Sequence, residues 1–141
     1  MEEKPFEVLD HTADIGLVAW GRSLEELFAN AALGMFSLIG ALEKVDGGFT
    51  TEVAVEGSDY EDLLVTWLNE LLYLFEAEEV LLKAFDIQEL GQYYLRARVF
   101  GEPLDLKKHE LFRVVKACTY HEVKVEEVEP GLFRAQVYFD I

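Results

Sequence analysis

Two apolar stripes with helical spacing constrain this fold most, because each needs another element to cover it. Ser23-Leu24-Glu25-Glu26 has the form of a capping box, in which the serine hydroxyl accepts from the amide of Glu26. The predicted helix ends near Gly40 and places these side chains on one face: Leu24, Leu27, Phe28, Ala31, Met35 and Leu38. Ser58 or Asp59 caps a second helix, whose broader stripe consists of Leu64, Trp67, Leu68, Leu71, Leu72 and Phe75.

Most of the remaining chain alternates apolar and polar residues, which is typical of strands. The predicted strands cover residues 6–9, 16–21, 49–56, 83–88, 93–101, 119–128 and 132–140. A turn at Glu129-Pro130-Gly131 joins the last two. This order predicts an α+β fold, with residues 1–141 forming a single domain in which two helices pack on a largely antiparallel β-sheet.

The charge balance disfavours direct binding of nucleic acid. The chain has 28 acidic and 12 basic residues and a formal net charge of −16, whereas a nucleic-acid-binding surface is normally basic. An acidic surface favours a basic protein surface or a cation. Solubility alone remains an alternative explanation of the charge.

Several features indicate a cytoplasmic protein with no membrane partner. No apolar run approaches the ~20 residues that span a bilayer, and residues 1–5 lack the order of a signal peptide. Cys118 is the only cysteine, so the chain has no internal disulfide and no multi-cysteine zinc site.

Two polar motifs and the chain end carry the residues suited to chemistry: His11–Gly16, Lys116–His121 and Asp140-Ile141. In the last strand Asp140 points away from the apolar face, and it lies beside the terminal carboxylate of Ile141. Asp14 is the best third member of such a cluster, since it sits in a turn next to a predicted strand. Three converging carboxylates repel one another unless they are protonated or bridged by a cation such as Ca²⁺, Mg²⁺ or Mn²⁺.

Other readings of these motifs remain open. His11 and His121 are each predicted to be partly buried, hydrogen-bonded histidines, and Lys116 either extends to solvent or neutralises nearby carboxylates. Asp10, Asp14 and Asp140 could serve as acid and base in a hydrolase. The chain lacks a Gly-x-Ser-x-Gly motif, a phosphate-binding loop and a dinucleotide fingerprint.

At these motifs the chain closely resembles the archease family. The resemblance is carried by His-Thr-Ala-Asp-Ile-Gly at 11–16, Gly-Arg-Ser-Leu-Glu-Glu-Leu-Phe-Ala-Asn-Ala-Ala-Leu-Gly-Met-Phe at 21–36, Lys-Ala-Cys-Thr-Tyr-His at 116–121 and Phe-Asp-Ile at 139–141. Length and helix pattern extend it over the middle of the chain. Cys118 departs from the aliphatic residue common in the motif, which should affect packing only.

The resemblance implies a protein cofactor rather than a stand-alone enzyme. Archeases act on the RtcB-type RNA ligase, which joins tRNA halves after intron removal; they promote its guanylation by GTP and its multiple turnover, and they broaden its nucleotide use. The resemblance also implies a divalent metal ion held by Asp14, Asp140 and Ile141, with Ca²⁺ favoured and Mg²⁺, Mn²⁺ or Zn²⁺ as alternatives. His11, Lys116 and His121 are then expected to hold the carboxylates in place. The competing functions are a small metal-dependent hydrolase and a general chaperone or accessory of RNA-modification enzymes.

Overall fold

The computed structural model describes residues 4–10 and 14–141 of the protein. Its helices are α1 (Leu24–Ile39) and α2 (Tyr60–Glu78), and a short 3-10 turn spans Leu42–Lys44. Its strands are β1 (Phe6–Asp10), β2 (Asp14–Gly21), β3 (Phe49–Glu56), β4 (Val80–Leu90), β5 (Tyr94–Pro103), β6 (Ala117–Glu129) and β7 (Leu132–Asp140).

The described strands form two antiparallel sheets. The first has the order β1-β2-β7-β6 and the second the order β3-β5-β4. The predicted α+β fold, with two helices packed on antiparallel strands, is confirmed. Its division into two sheets was not predicted, because an alternating pattern fixes which side chains are buried but not which strands pair.

Both helices begin at the predicted caps. Ser23 Oγ accepts from the amide of Glu26 at 3.0 Å, and the Glu26 carboxylate accepts from the amide of Arg22 at 3.0 Å. Asp59 is the cap of α2, since its Oδ1 accepts from the amide of Asp62 at 2.8 Å. These bonds satisfy amides that a helix leaves without partners at its start.

The hydrophobic core lies where both helices meet both sheets. Helix α1 contacts β2 and β4, and α2 contacts β6 and β3. Trp67 of α2 is fully buried, and its indole N–H donates to the carbonyl of Phe28 at 3.0 Å. The two stripes read from the sequence are therefore the surfaces that hold the two sheets together. In the part of the chain described here, no helix combines the length and the apolar composition needed to cross a bilayer.

Helix α2 also shields the open edge of β6. The side-chain amide of Asn69 donates to the carbonyl of Cys118 at 3.0 Å and accepts from the amide of the same residue at 2.8 Å. Farther along, a Glu61 carboxylate oxygen accepts from the amide of Val125 at 3.1 Å. These side chains take the place of a neighbouring strand, which protects an edge that could otherwise pair with another chain.

A polar cluster fastens the connecting segment (residues 104–116) between β5 and β6. Glu102 accepts from the amide of Asp46 at 2.9 Å, from the Lys108 ammonium at 2.8 Å and from the buried His109 at 2.9 Å. His109 Nδ1 accepts from the amide of Asp105 at 3.0 Å, so the ring donates to Glu102 through Nε2. The bonds from Asp46, Lys108 and His109 hold the pKa of Glu102 at about 2, below its ordinary 4.5.

We expect the substitution Glu102→Gln to destabilise the protein at neutral pH and to do so progressively less in acid. A carboxylate with a lowered pKa contributes stability above its ordinary pKa and loses it as the pH falls through the folded value. The gap in unfolding free energy between wild type and variant should therefore narrow from about pH 5 to about pH 2. Urea melts at pH 7, 4 and 3 measure it, with the exposed neighbour Glu110→Gln as control. A gap that stays constant over this range would contradict the prediction.

Candidate functional site

The structure brings Asp14 and Asp140 together. Asp14 is the first residue of β2 and Asp140 the last of β7, and the register of the two strands places them directly opposite each other. Such pairs point to the same side of the sheet, with Cβ atoms about 4.5–5.5 Å apart. Their neighbours Ile15 and Phe139 are buried in the core, so both aspartates are on the outer face of the first sheet.

Two like charges opposite each other destabilise a strand pair unless something offsets them. Ile141, whose carboxylate is the third ligand that the resemblance implies, follows Asp140 directly. Within residues 4–10 and 14–141, no group of three His, Cys, Asp or Glu side chains is placed to hold a metal ion. The predicted set differs from such a group because one of its three donors is a terminal carboxylate.

Asp140 is held from both sides. Besides pairing with Asp14 of β2, it pairs with Ala117 of β6, and its carbonyl accepts from the amide of Lys116 at 2.8 Å. Chain ends usually fray, but β7 is a central strand and has hydrogen-bonded neighbours up to its last residue. Asp140 is therefore fixed beside Asp14.

The predictions for the three residues expected to support the carboxylates differ in how they compare with the structure. His11 lies outside the described residues. Lys116 is exposed, and its ammonium forms no ion pair with a carboxylate of the described ranges. The expectation of a partly buried His121 is wrong, because 66% of its side chain is exposed.

A bulge in β6 explains the exposure of His121. The register with β7 shifts between Thr119 and Lys124, and Glu122 has a φ of 50°. The extra residues break the two-residue period that would otherwise place His121 on the same side of β6 as Val123 and Val125. The His121 ring instead lies 5.6 Å from the ring of Tyr138 and contacts the Glu122 carboxylate at 3.3 Å.

Tyr138 is a site residue that the sequence reasoning missed. It shares the outer face with Asp140, yet it is only 6% exposed. It pairs with Gly16, where a Cβ would lie 2.7 Å from the tyrosine ring, so the close approach of the ring requires glycine. Thr119 Oγ1 donates to the Tyr138 carbonyl at 3.0 Å and accepts from the His121 amide at 3.3 Å.

Residues of both sequence motifs therefore surround one tyrosine beside the carboxylate pair. Gly16 comes from the first motif, and Thr119 and His121 come from the second. The signal that could have revealed Tyr138 is its spacing of two residues from Asp140, which puts both on one face.

Cys118 has a structural role. Its side chain is buried, and desolvation raises the pKa of its thiol to about 12. A thiol that stays protonated is a poor nucleophile and a poor metal ligand. Its backbone is the part of β6 that Asn69 holds.

Comparison with known proteins matches this arrangement to one family. The profile of the Archease protein family (MTH1598/TM1083) matches residues 6–141. "Protein archease" of Methanosarcina barkeri is 42% identical over 98% of this chain and 97% of its own length. "Protein archease" of Pyrococcus furiosus is 40% identical over 98% and 99%.

Solved structures have the same fold. The solution structure of Methanobacterium thermoautotrophicum protein 1598 superimposes with a TM-score of 0.82 at 36% identity, covering 97% of this chain and 99% of that one. A Thermotoga maritima crystal structure, described as an archease and possible chaperone, has a TM-score of 0.64 at 24% identity and shares the fold over 100% and 98%. Fold and site thus define a small α+β protein of two antiparallel sheets with an outward-facing aspartate pair. The chain belongs to the archease family.

Proposed function

We propose that this protein is a non-catalytic accessory factor that activates an RtcB-type tRNA-splicing RNA ligase. It promotes the GTP-dependent guanylation of the ligase and its multiple turnover. The observation that carries the proposal is the pairing of Asp14 with Asp140 on the outer face of the first sheet. Membership of the archease family supports the same role. A carboxylate pair placed on the outer face despite its repulsion is easier to explain by a bound cation than by packing.

The donor set fits a hard divalent cation. Asp14, Asp140 and the Ile141 carboxylate would supply only oxygen ligands, which suit Ca²⁺ first and also Mg²⁺ or Mn²⁺, while Zn²⁺ more often has nitrogen or sulfur ligands. Such an ion, when bound, offsets phosphate charge. In this proposal His11, Lys116 and His121 position the carboxylates or the tyrosine beside them.

The charge of the protein fits a role that acts through a partner. A net charge of −16 opposes contact with tRNA but favours approach to a basic nucleotide-binding or RNA-binding surface of the ligase. The accessory factor therefore need not bind the RNA that the ligase joins.

We expect the protein to raise the rate of ligase guanylation while ligating no RNA by itself. The assay incubates limiting RtcB-type ligase with labelled GTP and a divalent cation, with and without this protein, and follows the labelled ligase over time. RNA joining over several turnovers is measured in parallel. Equal guanylation rates in the two arms would rule out the proposed activation.

Free tRNA should bind negligibly at physiological salt, because the phosphate backbone and this protein are both strongly anionic. A fluorescence titration of labelled tRNA with the isolated protein measures this, and a basic RNA-binding protein of similar size serves as a positive control. Saturable binding at micromolar concentration would contradict the prediction.

The chaperone description of the Thermotoga maritima protein supports a second candidate, a general chaperone. The two functions differ in the number of clients. Capture from a lysate with the purified protein as bait should recover one dominant ligase if the proposed function is correct, and several unrelated proteins if the protein is a general chaperone.

A further inference from the structure

We propose that residues 111–116, here called the strap, are the surface by which this protein docks on its ligase partner. The occupant is an apolar segment of the ligase that carries carboxylates. The inference rests on the proposed function and adds the docking surface to it.

The strap exposes apolar side chains that nothing in the described part of the chain covers. Val114 is 71% exposed, Phe112 is 51% exposed and Leu111 is 39% exposed. Val115, which follows them, is buried and anchors the strap to the core. Grouped apolar side chains on a protein surface mark an interaction site more often than scattered ones do.

The strap also offers main-chain groups to a partner. Its ends are fixed, since the amide of Phe112 donates to the Ile39 carbonyl and that of Lys116 to the Asp140 carbonyl, both at 2.8 Å. Between these bonds, the backbone amides and carbonyls of residues 113–115 form no hydrogen bond with any group the structure describes. Open main-chain donors and acceptors next to apolar side chains are what an added extended segment uses.

A groove runs between the strap and α2. Its volume is about 410 Å³, and it is lined by Leu72, Phe75, Glu76, Val114, Val115 and Lys116. The lining is apolar apart from the opposite charges of Glu76 and Lys116. The groove is suited to apolar side chains of a partner, with a polar group at its rim.

Charge distinguishes the strap from the rest of the molecule. The connecting segment (residues 104–116) has four basic and two acidic residues, a net +2 in a chain of net −16. Arg96, Arg98, Lys108 and Arg134 are each paired with carboxylates. Arg113 and Lys116 of the strap form no ion pair with a carboxylate among the residues described, as is also true of Lys44 and Lys124, but only the strap combines two such cations with no acidic residue.

The strap carries two cations, Arg113 and Lys116, and no carboxylate of its own, and neither cation forms an ion pair among the residues described. A partner segment that carries carboxylates would complement this local positive charge. A second copy of this chain is a poor occupant, since two bodies of net −16 repel each other. The occupant is therefore a different protein with an apolar, locally acidic segment.

The strap leads directly to the carboxylate pair. The backbone amide of Lys116, the last residue of the strap, donates to the carbonyl of Asp140, and Asp140 lies opposite Asp14. A partner seated on the strap thus lies beside the outer-face aspartates. Docking can be tested by substituting strap side chains, and activation can be tested by substituting Asp14 or Asp140.

The test measures the affinity of the purified ligase for variants of the full chain by calorimetry. Phe112→Ser and Val114→Ser are matched by Tyr93→Ser, which removes an exposed aromatic ring on the β4–β5 turn. Arg113→Glu is matched by Lys124→Glu, which makes the same charge change on exposed β6. Each strap variant should weaken binding about tenfold or more, whereas both controls should stay within about twofold. Thermal melts should show all five folded.

The outcomes separate this inference from the proposed function. Strap variants that bind like wild type, while wild type binds and activates the ligase, overturn the inference and leave the function standing. Wild type that neither binds nor activates the ligase overturns both. The inference is supported if the strap variants bind the ligase weakly but activate it when their concentration is raised. Asp140→Asn should then show the opposite pattern, with normal binding and no activation. A dimer of this chain that Val114→Ser dissociates would assign the strap to a second copy and overturn it.

Discussion

A peptide tag added after Ile141 is expected to lower ligase activation and divalent-cation affinity by a factor on the order of 10–100. The tag converts the terminal carboxylate into an amide, and it crowds the position next to Asp140. Asp140→Asn and Asp14→Asn should have effects of the same size, because each removes one anionic oxygen. The fold should survive, since the two aspartates are on the outer face and not in the core.

The sign of the stability change makes this prediction specific. Without a cation, Asp140→Asn should leave the melting temperature unchanged or raise it, because it removes like-charge repulsion across the strand pair. With excess cation, wild type should gain stability by ligand binding while the variant gains little. The matched control is Glu129→Gln, which removes an exposed acid at the end of the β6–β7 hairpin that lies away from Asp140. A tagged, folded protein with full activation and unchanged cation affinity would remove the free terminus from the proposed site.

Local sequence signals predicted much of the fold. The capping residues Ser23 and Asp59, and the strands at residues 49–56 and 132–140, are where the pattern placed them. These features depend on neighbours close in sequence, which a single chain displays directly. The grouping of strands into two sheets depends on contacts distant in sequence, so the pattern could not supply it.

The same distinction between local signals and distant contacts applies to the candidate site. Asp14 and Asp140 were singled out as chemically unusual, and their pairing follows from a register that sequence alone does not set. His121 was misplaced because nothing local marks the bulge in β6. The strap was missed because residues 111–116 have neither a helical nor a strand period, and their exposure depends on how distant elements cover them.

Trp67→Ala is expected to destabilise the protein by ~3–5 kcal/mol without acting on the carboxylate pair. Trp67 is fully buried, its ring meets Phe85 edge to face at 6.3 Å, and its indole N–H donates to the Phe28 carbonyl. The substitution opens a cavity at the junction of α1, α2 and β4, and deletes that hydrogen bond. Urea unfolding followed by far-UV circular dichroism measures the loss, and the melting temperature should fall by on the order of 10 °C or more.

Trp67→Phe separates the cost of the cavity from the cost of the lost hydrogen bond, because it keeps most of the apolar ring and removes the indole N–H. It should cost less than half as much as the alanine variant if cavity formation dominates, since one hydrogen bond contributes about 0.5–1.5 kcal/mol. Below its melting transition, folded Trp67→Ala should still bind the cation and activate the ligase at the wild-type rate per folded molecule. Full stability but lost activation in Trp67→Ala would mean that the core tryptophan acts on the site rather than on the fold. The carboxylate variants should show the opposite pattern, with lost activation and an intact fold.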